Sequence, residues 1–466
     1  MCGIVGIYGA KNTFKKLRLA GSQIQNRGSD GTGVIFADGA HFIPRAPHRV
    51  LGEVAACMDS WPLGEIPEKA LLGILHIRYG TSGVRDEWNN IQPFYVDSPH
   101  HGPFCFVHNG DTQKIEPVRE ALEKKGVVFS GTSDSEVLAH LIGRCTVTPL
   151  HEAVLEALHT VRSAYALIVA TPSSLIAARD CYGYRPLSIG TFSDGGYIVA
   201  SETSALTMVG AAYLRDVQPG EIVVIDKNGL HVVAEAAHTY KPPHLARCVF
   251  EHVYFSGQTS RTFGQSVALY RHRAGERLAE EYLAQHGSLP KDALLVPVPD
   301  SGNHYAQGFS HRAKHPLTFA ITRAKRPSRS FIAANEEERE ARIRFKFSVI
   351  PEFVRGKHCF LVDDSLVRGK TMRILIVMLR EAGATGVTVF IGSPPIVNPC
   401  PYGVDFKTYA ELLAARLGMD MDAMRKSIGA DGLSYLSMEG FLMVIGLTFG
   451  TTDDSCLACF NGKYAL

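Results

Sequence analysis

The 466-residue chain reads as two successive domains of different class, an α+β domain over residues 2–240 and an α/β domain over 241–466. Three observations predict this. The length exceeds what one hydrophobic core ordinarily organises. The first half consists mainly of short apolar strands separated by Gly, Asp and Ser turns. Beyond a polar, Pro-bearing stretch at 236–246, buried strands alternate with helical segments, the signature of a parallel sheet.

In the first half, apolar or alternating runs predict strands at 3–8, 33–36, 71–77, 104–108, 165–170, 175–179, 197–201 and 221–225. Helical periodicity predicts helices at 117–125, 134–144 and 151–161. In the second half, strands are expected at 294–298, 359–362 and 386–391, with a helix at 371–381 directly after the second of them. No internal repeat or low-complexity tract interrupts the pattern.

Composition narrows the function. A formal net charge of +2 and a pI near 8.0 supply no basic field for nucleic acid. The longest apolar run, 441–449, is about half the roughly 18 residues that suggest a membrane span. The first residues are apolar before any positive charge, the reverse of a secretory signal, so a cytoplasmic location is expected. Ten cysteines in such a chain point to chemistry, metal or burial rather than disulfides.

Chemistry is densest at the N-terminus. Removing Met1 would leave Cys2 with both a thiol and an α-amine, a nucleophile together with a base of ordinary pKa about 8. Arg78, in Arg78-Tyr79-Gly80-Thr81-Ser82-Gly83, offers a planar bidentate donor for a carboxylate. Asp134 suits an ammonium group, or the N-cap of a helix. His108-Asn109-Gly110 follows a strand, where the Asn109 side chain and the Gly110 N–H suit an oxyanion hole, or an ordinary Asn-Gly turn.

In the second half, His358 to Asp364 reads as a buried strand ending in two carboxylates. The loop Ser365-Leu366-Val367-Arg368-Gly369-Lys370-Thr371 then opens a helix. Strand ends and free N–H groups at helix starts suit a phosphate, and adjacent acids suit Mg²⁺ or sugar hydroxyls. Paired acids at a strand end also occur in phosphorelay and hydrolase folds. A second strand-to-loop segment, Val296-Pro297-Val298-Pro299-Asp300-Ser301-Gly302, has a backbone that can approach a diphosphate closely.

The string from His358 to Thr371 resembles the phosphoribosyl diphosphate (PRPP) signature of type I phosphoribosyltransferases. The resemblance implies ribose contacts at Asp363 and Asp364, a 5-phosphate cradle from Ser365 to Thr371 and a pyrophosphate loop at Asp300, Ser301 and Gly302. It also implies Mg²⁺ at Ser301, Asp363 and Asp364. The segments around Cys2, with Arg27-Gly28-Ser29-Asp30 as a pocket wall, resemble class II glutamine amidotransferases. That family implies a four-layer αββα N-terminal-nucleophile fold, with Arg27, Arg78 and Asp134 binding glutamine and Asn109 and Gly110 holding the oxyanion.

The two families in this order imply transfer of glutamine-derived ammonia to PRPP. The products would be 5-phosphoribosylamine, glutamate and pyrophosphate, opening purine synthesis. An internal ammonia channel, inhibition by purine nucleotides and a homotetramer are implied as well. Competing readings are a divergent paralogue with an altered acceptor, an uncoupled glutaminase, and a non-catalytic PRPP or iron–sulfur sensor. A base-salvaging phosphoribosyltransferase would have no use for the first half.

Cys456-Leu457-Ala458-Cys459 has metal-ligand spacing, and Cys248 and Cys400 match the other ligand positions of relatives that carry a [4Fe–4S] cluster. Zinc or four reduced thiols are the alternatives. Some positions depart from the family pattern: Asn26, Leu75, Asp111, the run from Tyr254 to Ser260, and the loop 322–332 that in the family closes over PRPP.

Overall fold

The computed structural model describes residues 1–62, 67, 69–80, 87–161, 163–234, 242–323 and 336–465. The expected junction near residue 240 and most of the loop 322–332 lie outside these residues.

Two antiparallel sheets build the N-terminal half. The first has seven strands in the order Ala212–Asp216, Ser188–Thr191, Tyr197–Ala200, Gly3–Tyr8, Leu72–Arg78, Gly31–Ala37, Phe42–Val50. The second has six, Gly229–Ala234, Ile222–Asp226, Leu175–Arg179, Ser163–Ala170, Gly102–Thr112, Phe94–Ser98. Successive side chains on a strand point to opposite faces, and both faces here are apolar.

On the first sheet, Ile4, Ile35 and Ile74 meet Val107, Ala166 and Ile168 of the second. Val5, Ile7, Phe36 and Leu75 instead cover Leu17 and Ala20 of helix Thr13–Gln23 and Val54 and Cys57 of helix Val54–Asp59. The outer face of the second sheet, with Phe104, Phe106 and Leu167, receives Leu138 and Ile142 of helix Asp134–Arg144 and Val154 of helix Leu150–Thr160. The layers are therefore αββα, as the resemblance implies.

The C-terminal half has a four-stranded parallel sheet, Ala293–Pro297, His358–Asp363, Gly386–Ile391, Gly432–Tyr435. Leu295, Phe360 and Phe390 pack on Tyr270, Tyr305 and Phe309 from helices Val267–His286 and Asn303–Ala313. Val296, Leu361 and Val389 pack on Met372, Leu375 and Leu379 of helix Lys370–Glu381. The apolar run 441–449 lies in helix Met438–Phe449. No helix of the described residues is long and apolar enough to cross a membrane.

Candidate active site

Cys2 precedes the central strand Gly3–Tyr8, so its position follows that of the first sheet. Its thiol donates to the Tyr79 carbonyl at 3.6 Å, and its Sγ accepts from the Tyr79 N–H at 3.5 Å. Arg78 is buried, and its guanidinium donates to the Asn90 carbonyl at 2.7 Å. Burial lowers its pKa, while Cys2, Asp30 and Asp134 act in the opposite sense, so these groups share one electrostatic neighbourhood. Asp134 is buried and accepts from the Thr112 N–H at 2.9 Å. The helix cap expected of it is Ser133, whose Oγ accepts from the Ser135 N–H at 3.3 Å.

Asn109 is 1 % exposed, and its Nδ2 has no hydrogen-bond partner among the described residues. A buried donor left unspent costs desolvation energy unless something arrives to receive it. At Gly110 a Cβ would fall 1.8 Å from the Ala164 carbonyl oxygen and 2.5 Å from His108 Nε2, so only glycine fits.

Arg27 is committed elsewhere than to an open pocket wall. Its Nε donates to the Cys2 carbonyl at 2.8 Å, and its terminal nitrogens reach Glu202 at 3.0 Å and Glu251 at 2.9 Å. All three side chains are buried. Burial alone would raise the Glu251 pKa, but Arg27 and then Arg185 hold its carboxyl below the usual range. Glu251 belongs to the C-terminal half, and so one carboxylate ties that half to the main chain of Cys2. Met1, 1 % exposed, joins the apolar cluster of the same half with Val249 and Phe250. Burial pushes its α-amine down to about 5, with Arg27 and Arg185 acting in the same sense against Cys2.

The phosphoribosyl motifs converge on a cleft of about 310 Å³ lined by Ser301, by Asp363 through Thr371 and by Lys346. Burial and the neighbouring Asp364 raise the Asp363 carboxyl well above the ordinary range. The Ser365 hydroxyl donates to Asp364 at 2.5 Å, and Gly369, at φ 81°, turns the chain into helix Lys370–Glu381. Arg368 is pinned to Glu411 at 2.7 Å. Asp300 is exposed and pairs with Arg323 at 2.6 Å, while Gly302 packs against the carbonyls of Val298 and Val362.

The cleft also takes in residues that the motifs do not include. Tyr79, Phe250, Tyr254, Phe255 and Phe406 form part of its lining. Tyr79 thus touches the Cys2 sulfur through its backbone and reaches the second site as well. The run around Tyr254 also receives Asn26, whose Nδ2 donates to the Phe255 carbonyl at 2.8 Å and to Glu202 at 2.9 Å.

Cys248 and Cys456 sit opposite each other on a short parallel pairing, and the backbone N–H of Asn398 donates to the Cys459 carbonyl at 3.1 Å. Burial raises the Cys459 thiol, with Cys400, Cys456 and Cys248 adding to it, so the four thiols share one environment. Among the described residues, only His272, Glu276 and His311 form a group of three or more metal-type donors all within 4.8 Å of one another. The sulfurs are therefore more widely spread than the edge of about 3.8 Å that a single zinc at 2.3 Å from each would impose.

A family model described as a glutamine amidotransferase domain matches residues 81–208. Amidophosphoribosyltransferase of Bacillus subtilis (strain 168) is 36% identical over 99% of this chain and 94% of its own length. That of Methanocaldococcus jannaschii is 36% identical over 100% of this chain and 97% of its own. The chain belongs to the amidophosphoribosyltransferase family. The solved glutamine PRPP amidotransferase of B. subtilis, complexed with ADP and GMP, superposes with a TM-score of 0.86 at 36% identity, covering 99% of this chain and 97% of that one.

Amidophosphoribosyltransferase membership covers both halves, so the αββα layers and the parallel sheet belong to one enzyme rather than to a chance fusion. Sequence reasoning missed Tyr79, Lys346 and the Glu251 hub. Only the divergent run after Glu251 offered a signal, because it breaks the pattern where Glu202 makes contact: Glu202 accepts from the Gly257 N–H at 2.8 Å and from Ser260 Oγ at 2.6 Å.

Proposed function

We propose that this chain hydrolyses glutamine at Cys2 and passes the ammonia to PRPP held at Asp363–Thr371, giving 5-phosphoribosylamine, glutamate and pyrophosphate. The single observation that carries this is Tyr79, which contacts the Cys2 sulfur and lines the phosphoribosyl cleft, leaving the two sites one residue apart. The division of labour falls at residue 240.

The Cys2 thiolate, formed once Met1 is removed and the α-amine takes its proton, attacks the side-chain amide carbonyl of glutamine. Arg78 receives the substrate carboxylate and Asp134 its ammonium. The Asn109 amide and the Gly110 N–H take up the oxyanion. The amine returns the proton to the leaving nitrogen, ammonia departs, and water cleaves the thioester to glutamate. Ammonia then displaces pyrophosphate at C1 of the sugar, shielded from water by Tyr254 and Phe255. The loop Ser365 to Thr371 holds the 5-phosphate on N–H groups at the helix start.

The donor set fits a divalent cation, since Ser301, Asp363 and Asp364 bring hard oxygen ligands to one cleft. Ser301, Asp363 and Asp364 would hold Mg²⁺, which when bound screens the diphosphate charge. The spacing and shared burial of Cys248, Cys400, Cys456 and Cys459 fit a [4Fe–4S] cluster as a structural tie. Purine nucleotides inhibit by occupying the same cleft, a reading supported by the ADP and GMP of the B. subtilis complex. Leu269, Met443 and Leu447 are exposed on helices Val267–His286 and Met438–Phe449, which pack on each other, and copies would join there as a homotetramer.

The test is anaerobic turnover with glutamine and Mg²⁺, following glutamate and pyrophosphate together, with and without PRPP. Equal amounts of both products, dependent on PRPP, are expected. Cys2→Ala should lose the reaction with glutamine and keep it with ammonium salts. Glutamate without pyrophosphate would overturn the coupled reading in favour of an uncoupled glutaminase or an altered acceptor.

A further inference from the structure

We propose that His272, Glu276 and His311 form a binding site for a first-row divalent transition ion of the zinc class, clasping helices Val267–His286 and Asn303–Ala313 together. Their donor atoms all lie within 4.8 Å of one another. His272 and Glu276 are one turn apart on the first helix, with Nδ1 to Oε2 at 3.6 Å. His311 approaches from the second helix, with Nδ1 to Glu276 Oε1 at 2.7 Å. An ion about 2.0 Å from each of three tetrahedral donors sets them about 3.3 Å apart, so the Glu276 carboxylate, which faces each imidazole with a different oxygen, would turn to present one oxygen to both.

The helix crossing makes the geometry rigid. A Cβ at Gly308 would fall 1.9 Å from the His272 carbonyl oxygen, and one at Gly275 would fall 1.9 Å from that of Tyr305. The two backbones therefore touch, and His311, one turn beyond Gly308, is carried over the His272–Glu276 pair. Nearby arginines are drawn off to other acids: Arg312 to Glu280 at 2.8 Å, and Arg277 to Glu281 at 3.3 Å. Glu276 is left to the two imidazoles.

Two imidazole nitrogens and one carboxylate oxygen suit zinc, nickel or copper better than Mg²⁺ or Ca²⁺. Three protein ligands leave a position for water. The site lies on a helix pair that the proposed chemistry does not use. Its consequence is mechanical, because it ties the helix that follows the Ser301 loop to its neighbour.

The experiment measures metal content of the full-length, anaerobically purified protein after dialysis against Zn²⁺ with excess Mg²⁺. It compares the parent, His272→Ala, His311→Ala and the double variant, and follows thermal unfolding with and without Zn²⁺. The parent should retain one more Zn²⁺ per chain than the double variant. Each single variant should bind at least about tenfold more weakly, the loss that removing even an outer-sphere partner causes. Zn²⁺ should raise the unfolding midpoint of the parent alone, while all four proteins unfold alike without it. Equal zinc in the parent and the double variant, or none retained by the parent, would overturn the proposal.

Discussion

The proposed oxyanion role of Asn109 is supported by what it lacks, a partner for its Nδ2 among the described residues. A buried amide without an acceptor is tolerated where an acceptor forms during reaction. Asn109→Ala should therefore lower glutamine-dependent turnover by about 10²–10³-fold while leaving KM for glutamine and ammonia-dependent turnover near parental values. An unchanged glutamine rate would remove Asn109 from the mechanism. Much of the proposed site at this level was legible in the chain: Cys2, Asn109 and the paired acids each lie in a segment whose chemistry would call for that residue type. Asp134 was harder, since an acid at a helix start fits a cap equally well until Ser133 is seen to take that place. Tyr79 was illegible because its importance depends on two distant segments meeting.

The strands that the sequence reading passed over follow a physical rule. Of the five missed in the N-terminal half, four, Phe42–Val50, Phe94–Ser98, Ala212–Asp216 and Gly229–Ala234, are the outer strands of the two sheets, and the fifth, Ser188–Thr191, lies next to one of them. An outer strand needs less apolar sequence and tolerates proline, as Pro44 and Pro47 show. Central strands are buried on both faces and so announce themselves. The wide helical turn Glu251–Phe255 had no such signature, yet its first residue holds Arg27 and Arg185. Glu251→Gln leaves two buried cations short of a counter-charge, at a cost of about 3–5 kcal/mol. The expected result is a lower thermal midpoint and a larger loss of glutamine-dependent than of ammonia-dependent activity. A variant as stable and as well coupled as the parent would show that the hub is decorative.

Cys400 begins a segment that reaches across the molecule. Tyr402 accepts from Arg185, a Cβ at Gly403 would fall 3.0 Å from the Gly110 carbonyl carbon, and Lys407 pairs with Asp111. Burial, reinforced by Asp134, pushes the Asp111 carboxyl up to about 6 against the pull of Lys407. The segment that begins at Cys400 therefore braces strand Gly102–Thr112, which carries Asn109 and Gly110. Cys459→Ser, purified without the cluster, should lose thermal stability and PRPP-dependent glutaminase activity together. Full glutaminase activity in the cluster-free protein would refute that bracing. Met1 imposes a last condition, one of timing. Its side chain is sealed by residues near 250, which leave the ribosome long after it does. A peptidase can reach it only in that interval. Chains made faster than they are trimmed would close around an intact methionine and, on the proposed mechanism, would use ammonia but not glutamine.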